Sequence, residues 1–168
     1  MGFKEYPDRT RPGMLNDLLS ADCRVVLTNS FRFHSRAAAT GSLARKQAQM
    51  ANAGDRALSQ MDALHDAMDD VASNQATMGS HHISIALHCD TLPDLERRAG
   101  EVRAALTNAG AGVAVEDLGT EAAYWAQLPG NAAWRTRPGD ISSRNFVGFS
   151  SLDGYPRGGP SPEWGAPL

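Results

Sequence analysis

Hydrophobic and polar positions alternate from Arg24 to His34. Val25, Leu27, Asn29, Phe31 and Phe33 fall on one side, and Val26, Thr28, Ser30, Arg32 and His34 on the other. A period of two is that of a strand with one face covered, so this run predicts a half-buried strand. A second alternation sets Ile83, Ile85, Leu87 and Cys89 against His82, Ser84, Ala86 and His88 and predicts another. Thr91, followed by Pro93 and Asp94, has the residue types of a helix start. Leu92, Leu95, Ala99, Val102, Leu106 and Ala109 then keep helical spacing, and Gly110 stands where a left-handed stop is needed. Val113 and Val115 predict a short strand, and Thr120 predicts the cap of a brief helix that Pro129 ends. At the front, Phe3 to Tyr6 predicts a short strand, and Pro12 to Ser20, with Met14, Leu15, Leu18 and Leu19, a short amphipathic helix.

Between the two long strands, the stretch from Arg36 to Ala76 is rich in Ala, Met, Leu and Gln and has no Pro, which predicts helix throughout, divided at Gly54. Ala57, Met61, Leu64, Met68 and Val71 step by alternating fours and threes, the spacing of a seam that faces a partner helix. A helical hairpin or coiled pair follows. Its charges oppose the helix dipole: Arg36, Arg45 and Lys46 come early, and Asp62, Asp66, Asp69 and Asp70 come late, where cations are preferred. Two readings stand for these aspartates, a solvated face and an electrostatic docking surface for another chain.

The order β-α-β, helical insertion, β-α-β predicts an α+β fold. It is a ferredoxin-like β-α-β-β-α-β sheet with the long helical hairpin inserted between the two central strands. After Pro129, Gly and Pro recur too often for long elements, so a Gly/Pro-rich C-terminal tail is expected to be loop or linker. The expected division is an α+β domain over 1–130, with its insertion at 36–76, and an irregular extension over 131–168.

Composition narrows the function. At 168 residues the chain holds one domain, or one with a small appendage. Lys+Arg of 16 against Asp+Glu of 19 leaves a net charge of −3, which names no nucleic-acid or membrane partner. No apolar run approaches membrane-spanning length, the first residues lack the core of a signal peptide, and two cysteines are too few for a disulfide scaffold. These features predict a soluble, unprocessed protein in a reducing compartment.

The residues that invite catalytic or metal chemistry test poorly. No G-x-x-x-x-G-K-[ST] phosphate loop occurs, so the segment alone is not expected to hydrolyse nucleoside triphosphate. His81, His82, His88, Cys89 and Asp90 have the composition of a metal site, yet on a strand His81 and His82 point to opposite faces, and His82 and His88 stand about 20 Å apart. Cys89 and the pair Phe31 and Phe33 are expected in the core rather than as a nucleophile and a base-stacking platform. Arg135, Arg137, Arg144 and Arg157 lie in the tail, where a solvated loop and a contact with phosphate or acidic partners are both open.

The most specific features are local strings in fixed order: Tyr6-Pro7 with Thr10, Pro12 and Gly13; Asn29-Ser30-Phe31; Glu116-Asp117-Leu118-Gly119; Tyr124 through Asn131; and Ile141 through Phe146 followed by Gly148-Phe149-Ser150. Together they resemble the type IV secretion and conjugal-transfer ATPase family, the CagE/TrbE/VirB group, over nearly the whole chain. Asn29 stands where the family pattern carries Gln, and Ser143 where Thr is common. The resemblance implies a non-catalytic segment ahead of the nucleotide-binding motor domain of a larger ATPase. It implies ATP and magnesium for the parent protein, with no cofactor or metal in this segment. It further implies a homo-oligomeric motor at the cytoplasmic face of the bacterial inner membrane, peripheral to it, that energises pilus or channel assembly. The partners it implies are other secretion subunits and the segment's own ATPase domain, without direct nucleic-acid binding by this segment.

On this reading the interaction candidates are Asp62, Asp66, Asp69, Asp70, Tyr124, Trp125, Arg135, Arg137 and Arg144. Tyr124 and Trp125, large amphipathic side chains on a short helix, are either domain core or a contact with the ATPase domain. The competing function is a stand-alone ferredoxin-like module that binds metal or RNA.

Overall fold

The computed structural model describes residues 1–7, 9–52 and 58–150. In order they form β1 (Gly2–Glu5), α1 (Asn16–Leu19), β2 (Arg24–Phe33), α2 (Arg36–Asn52), α3 (Leu58–Ala72), β3 (Met78–His88), α4 (Leu92–Asn108) and β4 (Gly112–Ala114). Then come α5 (Thr120–Trp125), a 3-10 turn (Ala132–Trp134), β5 (Gly139–Ser142) and α6 (Ser143–Val147). Helices and one antiparallel sheet make the fold α+β, as the two periods predict.

The long strands are the frame. β2 and β3 pair antiparallel along their length, from Arg24 opposite His88 to Phe33 opposite Gly79. The strand order is β2-β3-β1-β4. The other edge of β3 is shared, with β1 pairing at Ser84 and β5 pairing from Met78 to His81. Because opposed residues share a face, Val25, Leu27, Asn29 and Phe31 lie with His81, Ile83, Ile85 and Leu87. Against this face pack Leu15 and Leu18 from the α1 region, Val102 and Leu106 of α4, and Phe3, Ile141 and Phe149. Helix α4 starts as its sequence predicts: the Thr91 hydroxyl accepts from the Asp94 backbone N–H at 3.3 Å, and Gly110 takes φ +87° past the last turn.

Helices α2 and α3 form the predicted antiparallel arm and carry a small core of their own. Ala39 and Leu43 meet Leu64 and Val71, with Met78 at the base. Met61, expected in the seam, is exposed, and Gly54 and Ala57 lie outside the described residues.

Four expectations need correction. The front helix covers only Asn16–Leu19 rather than Pro12–Ser20, because Gly13 adopts φ +75° and no helix runs through it. Thr120 does not cap α5: its hydroxyl donates to the Glu116 and Asp117 carbonyls, and Gly119 is the cap position. Phe33 is not core. It is 69% exposed at the end of β2, while Phe31 is held by stacking on Phe146 at 4.7 Å. Finally, residues 139–147, read as loop from their Gly and Pro content, form β5 and α6, and Phe149 behind them is fully buried. Short elements fit between closely spaced breakers when a strand edge is there to pair with, and the Met78 end of β3 offers one.

Gly79 shows how tightly that edge is packed. A Cβ there would lie 2.4 Å from Phe31 Cζ and 2.7 Å from the Arg32 carbonyl oxygen, so Gly79→Ala should destabilise the fold by about 1–3 kcal/mol. Chemical denaturation against the unsubstituted chain measures it.

Candidate functional site

The sheet face opposite the main core carries Thr28, Ser30 and Arg32 on β2 and Ser80, His82 and Ser84 on β3, and the segment from Glu116 to Pro138 meets it. Helix α5 docks there by its small residues. Ala123 and Ala126 are buried, and the Ser84 hydroxyl donates to the Ala123 carbonyl at 3.4 Å. With alanines turned inward, the helical period turns the large side chains outward. Tyr124 is 58% exposed, Trp125 40%, Leu128 47% and Trp134 46%, and Leu118 is wholly exposed. Tyr124 and Trp125 meet edge to face at 5.3 Å, and the Asn131 amide donates to the Trp125 carbonyl at 3.2 Å, joining α5 to the turn that carries Trp134. A short segment that buries Ala123 and Ala126 and displays its aromatic residues has the composition of a contact surface.

Charges flank this surface. Glu116, with its side chain almost wholly buried, accepts from Arg137 Nε at 2.7 Å, and this bond holds the Arg137 guanidinium above its ordinary range. Arg137 is therefore a brace of the segment. Arg135 is half-buried near His81 and His82, and among the described residues it forms no ion pair. Together with Arg32, His34, Ser80 and Asp140 it lines a cleft of about 510 Å³, in which His34 Nε2 lies 3.1 Å from Asp140 Oδ1.

The acidic candidates separate. Asp70 pairs with Arg144 at 2.7 Å, and Arg144 also donates to Gln75 at 3.2 Å, so these two candidates tie the α3 end to α6. Asp62, Asp66 and Asp69 remain exposed on α3 without an ion pair among the described residues. Arg157 lies outside the described residues.

On the core face, His81 occupies a closed polar pocket. Its Nε2 lies 3.0 Å from Asn29 Oδ1 and its Nδ1 lies 3.1 Å from the Tyr6 hydroxyl. Asn29 donates its amide to the Phe149 carbonyl at 2.9 Å, so its oxygen faces His81, which makes Nε2 the protonated nitrogen; the single Tyr6 hydroxyl proton is shared between the His81 backbone carbonyl and Nδ1, each 3.1 Å away. Phe149 stacks flat on the imidazole, with centroids 5.1 Å apart and planes 9° apart. Burial, then His82 and Arg135, lowers the His81 pKa to about 4, and burial pushes the Tyr6 hydroxyl up to about 12. Both groups are neutral structural partners at ordinary pH. His82 points to the opposite face, and among the described residues its buried Nδ1 has no partner and no group of three or more His, Cys, Asp or Glu is placed to hold a metal.

Sequence reasoning missed Leu118, Leu128 and Trp134 as members of the aromatic surface and Phe149 as a core anchor. The signal for the first was the Ala122, Ala123 and Ala126 spacing, which marks a small-residue inner face; Phe149 had no local signal.

Among curated proteins, the chain is 50% identical over 99% of its length to Protein virB4 of Rhizobium radiobacter, covering 21% of that protein. It is 52% identical over 94% of its length to the type IV secretion system protein virB4 of Bartonella quintana, covering 20% of it. To the type IV secretion system protein PtlC of Bordetella pertussis it is 36% identical over 91% of its length, covering 19%. The chain thus spans about a fifth of the length of these relatives. The stand-alone metal- or RNA-binding alternative finds no support in them. Residues 1–137 match the CagE, TrbE, VirB family, component of type IV transporter system, and the chain belongs to that family.

Proposed function

We propose that this chain is a non-catalytic interaction domain of a type IV secretion ATPase, energised by ATP and magnesium bound elsewhere in the longer protein. The observation that carries this reading is the inverted burial of the 118–134 segment, which hides Ala123 and Ala126 and presents Tyr124, Trp125, Leu128 and Trp134. The antiparallel order β2-β3-β1-β4 supports a ferredoxin-like core interrupted by the α2–α3 arm. No phosphate loop occurs in the sequence, which fits a scaffold role.

In this account the aromatic surface meets the protein's own motor domain, and the chain after Ser150 is the connector towards it. The exposed Asp62, Asp66 and Asp69 row on α3 meets a second, basic partner among the secretion subunits. The working location is the inner face of the bacterial inner membrane, as a peripheral part of a homo-oligomer. No described helix is long and apolar enough to cross a membrane.

Trp125→Ala in the longer protein tests the aromatic contact. Expected is a loss of at least tenfold in ATP turnover or transfer, with the thermal midpoint of the 168-residue chain unchanged within a few degrees. Unfolding of the chain itself would show that Trp125 serves as core. Undiminished turnover and transfer in a folded variant would remove the contact from the account.

A further inference from the structure

The two cysteines lie together at the end of the β2–β3 ladder opposite the helical arm. The pairing of Arg24 with His88 carries the register one residue further, to Cys23 and Cys89. Directly opposed residues of antiparallel strands have Cα atoms about 4.5–5.5 Å apart, within the span of about 4.4–6.8 Å that a disulfide bridges. Both cysteines are free and half-buried, and Cys89 is among the groups that act on the Cys23 thiol. The site is built on fixed elements. Leu18 anchors α1 on one side, Thr91 caps the start of α4 on the other, and Arg98 of α4 joins Asp22, next to Cys23, to Glu101.

We propose that Cys23 and Cys89 form a reversible dithiol site that reacts with low-molecular-weight disulfides, such as oxidised glutathione, to close an intramolecular disulfide. This goes beyond the interaction role and does not depend on it. One cysteine thiolate attacks a sulfur of oxidised glutathione and releases one glutathione thiolate, which leaves a mixed disulfide. The second cysteine, deprotonated by solvent, attacks the protein sulfur of that mixed disulfide and expels the other glutathione. Two protein thiols are oxidised, one glutathione disulfide is reduced to two glutathione thiols, and the protons balance through water. Burial and then the neighbouring Cys89 thiol hold the Cys23 thiol above its ordinary pKa, opposed by Arg98, so closure quickens towards alkaline pH.

The closed form joins the turn before β2 to the turn between β3 and α4. The ring encloses β2, the α2–α3 arm and β3, and its large loop raises the thermal midpoint by roughly 5–15 °C. In a reducing compartment such a disulfide is transient rather than permanent.

The test is incubation of the native 168-residue chain with excess oxidised glutathione, followed by alkylation of remaining thiols and intact-mass measurement. Expected is loss of both thiols with a mass lower by two hydrogens and no retained adduct. Cys23→Ser and Cys89→Ser should each keep one stable glutathione adduct instead. In denaturant, the effective concentration of one thiol for the other should fall at least tenfold. Stable adducts on both cysteines of the native wild-type chain, intermolecular dimers, or two thiols that stay open to alkylation would each overturn the proposal.

Discussion

Phe149→Ala should destabilise the chain by about 3–5 kcal/mol, among the largest effects available to a single substitution. The ring is fully buried and meets Phe3 at 5.4 Å, Tyr6 at 6.0 Å and His81 at 5.1 Å, so truncation opens a cavity bounded by three aromatic side chains. The residue lies far along the sequence from its partners, beyond a stretch rich in Gly and Pro, and so it reports on whether residues 139–150 are integral to the fold. Urea denaturation of the variant measures this. A change below about 1 kcal/mol would mean that the segment after β5 packs only loosely.

The second large effect is a loss of stability in acid. In the folded chain the His81 pKa is lowered to about 4 by burial, then by His82 and Arg135, from an ordinary value of 6.5. The unfolded chain therefore binds a proton at His81 between pH 6.5 and 4 that the folded chain refuses. The resulting stability is fully present above pH 6.5, falls as the pH drops towards 4 and levels off below. At about 1.4 kcal/mol per pH unit this amounts to about 3 kcal/mol. His82, lowered by burial and then Arg135, adds to the same slope with the same sign. Denaturation midpoints measured across that window should fall with pH. In His81→Phe, which keeps a ring against Phe149, the slope should shrink. An unchanged slope in that variant would place the titration elsewhere.

The parts legible in the sequence were those in which a local period decides the structure. The alternations around Val25–Phe31 and Ile83–Leu87, the Thr91 cap and the apolar stripe of α4 each depend on neighbours within a few residues, and each forms an element close to where its pattern lies. The parts missed depend on distant partners. β5 exists because Met78–His81 offers an edge, and nothing within Gly139–Ser142 announces it. His81 became a satisfied core group through Tyr6, Asn29 and Phe149, which come from three other parts of the chain. The site was legible in part. Tyr124 and Trp125 were singled out from their type, whereas their outward direction follows from Ala123 and Ala126 occupying the sheet side. Arg137 and Arg144, candidates from charge alone, are engaged by Glu116 and Asp70 within the fold.

On the proposed function, this domain acts by contact through its outward aromatic residues. The most direct measurement is a titration of the purified 168-residue chain against the remaining part of the longer protein supplied as a separate polypeptide. Expected is a saturable complex whose affinity drops at least tenfold on Trp125→Ala and again on Trp134→Ala, while Asp66→Lys leaves it unchanged within a factor of about three. A complex equally tight with both tryptophans replaced, or no complex between the folded partners, would contradict it.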